Sequence, residues 1–187
     1  MTSFYSEEEL KKLGLKLYGK NVKISRHACF YGINNISIGN NVRIDDFCIL
    51  SGNIRIMDYV HIAASVFLFG GKAGIVINDY AGISSRSAVY AESDDYTGIA
   101  MTNPTIPDKY RKVYGETVIF EKHTLIGSGC TVLPGVTIKE GTSVGSMSLV
   151  NRSLESWGIY AGIPCRWIKE RSKQILNFEK NFIANKN

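Results

Sequence analysis

From Ile36 to Leu68 every sixth residue is aliphatic: Ile38, Ile44, Leu50, Ile56, Ile62 and Leu68. Two places before each stands a second apolar series, Ile36, Val42, Cys48, Ile54, Val60 and Val66, and the residues between are mostly Gly, Asn, Asp, Arg, Ser and Ala. A helix repeats near 3.6 and a half-buried strand at 2, so a sustained period of six is neither. It predicts short strands separated by tight turns, each strand forming part of one wall of a solenoid. The rhythm slips through Phe69–Gly74, resumes at Ile77, Ile83 and Val89, and breaks again. It returns at Phe120, Ile126, Val132, Ile138, Val144 and Val150, with Val118, Thr124, Cys130, Val136, Thr142 and Ser148 as companions.

The expected organisation is one domain over 1–187: an N-terminal helical segment over 1–20, a β-helix over 21–150 interrupted by a long loop over 92–117, and a C-terminal loop and helix over 151–187. Within the first segment a helix is predicted over 6–18, capped by Ser6, with Glu7 to Glu9 in its first turn where the helix dipole favours anions. Residues 21–35 read as an irregular first coil and 151–165 as loop. Apolar spacing from Arg166 to about Phe182 predicts a second helix. Within the long loop, Pro104, Pro107, Gly98 and Gly115 argue against regular structure, and long excursions from compact domains are usually functional.

Composition narrows the picture. With 44% hydrophobic and 21% charged residues the chain is ordinary for a globular protein. No apolar run reaches a membrane-spanning length. The acidic start Met-Thr-Ser-Phe-Tyr-Ser-Glu-Glu-Glu-Leu lacks a signal-peptide core, so a cytoplasmic location is expected. Cys29, Cys48, Cys130 and Cys165 form no CxxC pair, and Cys48 and Cys130 fall in the inward series, where a thiol acts as a small hydrophobe. The three His residues show no metal-ligand spacing, so no metal is expected. The net charge of +5 suits an anionic ligand. Its basic residues scatter, however, where a nucleic-acid surface would cluster them, so no nucleic-acid partner is expected.

The motifs Ile-Gly-Ser-Gly-Cys-Thr-Val-Leu-Pro-Gly-Val-Thr-Ile (126–138), Val-Gly-Ser-Met-Ser-Leu-Val (144–150) and Tyr-Ala-Gly-Ile-Pro-Cys-Arg-Trp-Ile-Lys-Glu (160–170) closely resemble those of the hexapeptide-repeat acyltransferases, in the branch of sugar O-acetyltransferases and nucleotide-sugar N-acetyltransferases. The resemblance covers nearly all of 22–171. It implies a left-handed parallel β-helix, a homotrimer, acetyl-CoA as donor in a groove between neighbouring prisms, and a sugar or nucleotide-sugar acceptor beside the excursion. Carried over by position, the CoA contacts are Ser128, Ser146, Asn151, Arg152, Arg166 and Lys169; phosphates need such cations, and hydroxyls can hold the pantetheine amides. The plain alternative for the serines is a turn, and for Arg166 and Lys169 a solvated face.

The acceptor side departs from the pattern. Relatives that acetylate hydroxyls carry a His in the excursion; here that position falls near Asp94, and no His occurs from 62 to 122. A carboxylate is a weak base toward an alcohol, whereas a neutral amine attacks first and loses its proton afterwards. The missing His therefore favours N-acetylation of an amino sugar in surface-polysaccharide synthesis, with O-acetylation as the alternative. A non-catalytic trimeric scaffold and another acyl donor also remain as alternatives. Asp94 and His61 are the catalytic candidates, and His61, one place off the inward series, should point outward. His123 is a further candidate at a coil corner, and His27 reads as structural. Asp95, Tyr96, Tyr110 and Arg111 are candidate acceptor contacts, able to hydrogen-bond a sugar or pair with a nucleotide diphosphate; the plain alternative for Asp94 and Asp95 is a turn cap.

Overall fold

A computed structural model describes residues 3–185; the terminal residues 1, 2, 186 and 187 lie outside that range. Both aliphatic series point inward along their whole length. Residues Ile44, Leu50, Ile62, Leu68, Phe120, Ile126, Val132, Ile138 and Val150 are fully buried, as are the companions Ile36, Cys48, Val66 and Val118. Thr124, Thr142 and Ser148 extend the companion series with polar side chains that are also buried. Two of these find acceptors inside the coil, Thr142 Oγ1 donating to Glu155 O at 2.7 Å and Ser148 Oγ to Gly145 O at 2.7 Å. Thr142 and Ser148 thus offset their burial by hydrogen bonding, whereas the buried Thr124 hydroxyl meets no partner in the chain.

About seven coils stack into a three-walled parallel solenoid. One wall is built from Lys23–Ile24, Arg43–Ile44, His61–Ile62, Gly82–Ile83, Leu125–Ile126, Ser143–Val144 and Gly158–Gly162. A second stacks Cys29–Tyr31, the start of Ile49–Ile56, the start of Phe67–Ile77, Ala88–Tyr90, Thr131–Val132 and Leu149–Val150. The third stacks Leu17–Tyr18, Ile36–Ile38, the ends of the same two long strands, Val118–Phe120 and Thr137–Ile138. Ile49–Ile56 and Phe67–Ile77 bend continuously from the second wall to the third, which absorbs the slip in the repeat at Phe69–Gly74.

Three local expectations need correction. The first helix spans only Glu7–Lys12, closed at its start by a full capping box between Ser6 and Glu9. Gly14, at φ 87°, ends it in a backbone conformation that glycine alone adopts freely, and Leu17–Tyr18 joins the third wall as a strand. Toward the C-terminus, 158–162 is the last strand of the first wall, and Cys165–Glu170 folds back on it antiparallel, where helix was expected. The second helix begins later, at Ile175, and ends at Ala184. The excursion also has a regular stem: Glu92–Asp94 pairs antiparallel with Val113–Gly115, and Asp108–Tyr110 forms a 3-10 turn. Gly115 is therefore a strand residue, because the stem must close the loop by backbone pairing before the coil resumes.

The four cysteines are free, with Cys48, Cys130 and Cys165 buried and Cys29 exposed. Burial pushes the Cys48 thiol up to about 11, so it sits in the core as an inert apolar group.

Candidate active site

Asp94 ends the first stem strand, four residues beyond Tyr90, where the second-wall strand before the excursion ends. It lies in a cavity of about 700 Å³ whose one side carries Tyr90, Ser93, Asp94 and Tyr96 and whose other side carries Leu133 and Pro134. The tight turn after Val132 thus supplies an apolar floor, and the stem supplies the polar groups. Asp94 Oδ2 accepts one hydrogen bond, from the Asn103 backbone N–H at 3.1 Å. That leaves most of its lone pairs open to a ligand.

Asp95 is used differently. Its Oδ1 accepts from Thr97 Oγ1 at 2.6 Å and Thr97 N at 3.0 Å, and its Oδ2 accepts from Ile99 N at 2.8 Å and Ala100 N at 3.0 Å. Those bonds, the Thr97 hydroxyl foremost, hold its carboxyl far below the usual carboxylate range. Asp95 is the buckle of the loop tip, which is the turn-capping arrangement set out from the sequence. Tyr96 beside it is 94% exposed. Tyr110 is exposed with Lys109 over its ring, and Arg111 pairs with Asp108 through Nη2.

His61 points outward from the first wall, as expected for its place beside Ile62, but on a different wall from the Asp94 cavity. Its Nε2 is hydrogen-bonded to Asp45 Oδ2 at 2.8 Å, and Arg43 Nε donates to Asp45 Oδ1 at 2.6 Å. Burial raises the Asp45 carboxyl, but these two partners outweigh it and hold the group below its usual value. His61 is thus oriented by a carboxylate, an arrangement that fixes an imidazole for proton transfer. Within one chain it does not meet Asp94.

His123 is committed elsewhere. It is buried at a coil corner with φ 61°, stacks on Tyr80 at 5.0 Å, and is hydrogen-bonded through Nε2 to Glu179 of the second helix at 2.9 Å. Lys122 Nζ reaches the other Glu179 oxygen at 2.5 Å. The corner residue docks the helix. His27, the remaining histidine, packs on Phe47 at 5.6 Å.

The candidate CoA residues follow one edge. Ser128 and Ser146 occupy equivalent turns of successive coils, the Met147 N–H donating to Ser128 O at 2.8 Å. Asn151 and Arg152 follow the last strand of the second wall, and Arg166 and Lys169 lie on the C-terminal hairpin opposite Ala161 and Ile159. Arg152 and Arg166 both bear electrostatically on Cys165, whose thiol is nonetheless raised by burial. All of Ser146, Asn151, Arg152, Arg166 and Lys169 are exposed. No group of three His, Cys, Asp or Glu residues arranged to hold a metal occurs among the described residues. Sequence reasoning missed Tyr90, which is the outward neighbour of Val89, the last repeat position before the excursion. It quoted Leu133 and Pro134 only as part of a motif.

Comparison with known proteins places this geometry. Residues 35–70 match the bacterial transferase hexapeptide (six repeats) family model. The chain is 46% identical over 183 residues to the dTDP-4-amino-4,6-dideoxy-D-glucose acyltransferase of Escherichia coli, covering 96% of this chain and 95% of that protein. The crystal structure of AntD, an N-acyltransferase from Bacillus cereus in complex with dTDP and 3-hydroxybutyryl-CoA, superposes with a TM-score of 0.97 at 52% identity, covering 100% of both chains. A lipopolysaccharide biosynthesis O-acetyl transferase, WbbJ of Escherichia coli K12, is 27% identical over 88% of this chain and 87% of its own length. The coil is accordingly a left-handed parallel β-helix, and the chain belongs to the hexapeptide-repeat acyl-CoA-dependent sugar acyltransferases.

Proposed function

We propose that this protein transfers an acyl group from acyl-CoA to the amine of a nucleotide-linked amino sugar. The observation that carries the reading is Asp94, an open carboxylate in the cavity at the stem of the excursion, in a chain 46% identical throughout to a dTDP-4-amino sugar acyltransferase. AntD has been crystallised as S84 and D94 variants with CoA together with dTDP or dTDP-4-amino-4,6-dideoxyglucose, and this chain carries Ser84 and Asp94 at the same numbers. Ser84 follows the strand Gly82–Ile83, one coil beyond His61, and the sequence alone did not single it out.

In this reading the sugar amine attacks the thioester carbonyl and forms a tetrahedral oxyanion, which collapses with loss of the CoA thiolate. Asp94 orients the amine and takes its proton, a role open to a carboxylate because the acceptor need not be deprotonated before attack. Backbone N–H groups of a neighbouring coil hold the oxyanion. Tyr96, Tyr110, Arg111 and Asp95 belong to the acceptor side, Asp95 through the loop it shapes. Ser128, Ser146, Asn151, Arg152, Arg166 and Lys169 belong to the CoA side, and acetyl-CoA is the donor proposed. His61 stands on another wall, so its role in catalysis requires a homotrimer in which the wall of one protomer faces the excursion of the next. Residues 1–187 act as one domain in the cytoplasm in the synthesis of a surface polysaccharide, in keeping with the likeness to WbbJ.

The test is a mass-spectrometric screen with acetyl-CoA and 3-hydroxybutyryl-CoA against nucleotide-linked amino sugars and plain hydroxyl sugars. An N-acylated nucleotide sugar is the expected product. Acylation confined to hydroxyl sugars would overturn the N-transfer reading, and failure to bind CoA would return the fold to a scaffold.

A further inference from the structure

A second cavity, of about 750 Å³, lies where the stem of the excursion meets the long bent strand Phe67–Ile77. Lys72, Glu92, Asp108 and Arg111 line it, and Glu92 also lines the Asp94 cavity, so the two spaces share a wall on the strand Glu92–Asp94. The two acids facing this cavity are already engaged. Glu92 Oε1 accepts from the backbone N–H groups of Lys72 at 2.6 Å and Ala73 at 3.3 Å, and Asp108 is bound to Arg111 Nη2. The two cations retain capacity. Arg111 Nε is buried and meets no hydrogen-bond partner in the chain. Lys72 forms no ion pair within bonding distance of its ammonium among the described residues, although it is close enough to Asp108 to help hold that carboxyl low.

A guanidinium N–H shut away from water without an acceptor is unfavourable, and a guanidinium with one edge paired and another free suits a phosphate oxygen. The position along the stem is also telling. Asp94 pairs across the ribbon with Val113. Arg111 comes two residues before Val113, about 7 Å further along an extended chain. That is comparable with the span of a pyranose ring from its 4-position to a phosphate on its 1-position.

We propose that Lys72 and Arg111 hold the diphosphate of the nucleotide-linked sugar, with the sugar amine directed to Asp94. The inference rests on the acceptor class proposed above and adds Lys72, a residue of the coil corner outside the excursion. CoA also carries a pyrophosphate. Its candidate cations lie elsewhere, Arg166 on the C-terminal hairpin and Arg152 after Leu149–Val150, both bearing on Cys165, which leaves this cavity to the acceptor.

The experiment is isothermal titration of thymidine diphosphate and, separately, CoA against the full chain and the variants Lys72→Met and Arg111→Gln. Each variant should bind thymidine diphosphate at least about tenfold more weakly, the loss expected for one charge-assisted hydrogen bond, with CoA affinity unchanged. Wild-type protein that binds the nucleotide alongside variants that bind it equally well would overturn the subsite alone. Loss of CoA affinity in place of nucleotide affinity would assign the cavity to the donor. Wild-type protein that binds CoA but no thymidine diphosphate would overturn both the acceptor reading and the subsite. Lys72 is exposed within the bent strand Phe67–Ile77, so Lys72→Met keeps the test decisive if Arg111→Gln fails to fold.

Discussion

Glu92 Oε1 accepts the backbone N–H of Lys72 at 2.6 Å, and this contact ties the root of the excursion to a corner of the coil twenty residues earlier. The carboxylate fits because Gly71 leaves room for it: a Cβ on Gly71 would lie 2.1 Å from Glu92 Cδ. The cavity that holds Asp94 therefore inherits its position from the solenoid.

Gly71→Ala should disrupt this anchor, because φ there is 51° and the added methyl displaces the Glu92 carboxylate. Backbone strain of this kind costs about 1–3 kcal/mol. Calorimetry should show a lower melting temperature, by roughly 2–4 °C per kcal/mol in a protein of this size. An unchanged transition would mean the anchor is dispensable.

Ile126→Asp should abolish cooperative folding. Ile126 is fully buried in a narrow prism, and burying a carboxylate there without a partner costs several kcal/mol. Circular dichroism on heating should show no native-like transition; a retained one would contradict the inward register.

Glu179 gives a pH dependence to the docking of the C-terminal helix. Burial raises its carboxyl, but hydrogen bonds from Lys122 and His123 outweigh that and hold it below its ordinary value of 4.5. A depressed carboxyl contributes stability that is complete above its unfolded value and is lost as pH falls through the folded one. Glu179→Gln should therefore melt lower than wild type at pH 7, and the gap should close as pH drops below about 4.5. A gap independent of pH would leave helix docking to Phe178, Phe182 and their neighbours.

Asp94→Asn should lower kcat by about 10²-fold or more, the scale of a lost acid–base group, with CoA affinity retained. Steady-state kinetics on an amino-sugar nucleotide supplies the check. His61→Ala should also lower turnover if the Asp45-oriented imidazole of one protomer serves the excursion of the next, and full activity in that variant would leave the proton to Asp94.

Arg166→Ala should weaken CoA binding by about tenfold, one charge-assisted contact, without changing the melting temperature. Its side chain is exposed and forms no ion pair among the described residues. Calorimetric titration would separate this from unchanged affinity, which would remove Arg166 from the donor groove.

The hexad pattern alone determined the solenoid, its register and the single excursion. A prism this narrow admits one side chain per position, so Ile38 to Leu68 and Phe120 to Val150 record the core directly. Motif likeness added the hand of the coil and the acyltransferase class. The ends were harder to read. Local spacing over 166–182 suited a helix, but the free edge of the wall at Gly158–Gly162 offered hydrogen bonds that drew Cys165–Glu170 into a strand.

The site was legible only as a set of residue types. Asp94 and Asp95 are adjacent and chemically alike, and the tertiary structure separated them by directing four donors to Asp95 and one to Asp94. His61 and His123 were both candidates, the first preferred, until the second helix placed Glu179 against His123 and a neighbouring coil placed Asp45 against His61. A repeat specifies which side chains face in because burial follows its period. Which outward groups meet depends on how coils, stem and helix stack in space, and no local period encodes that.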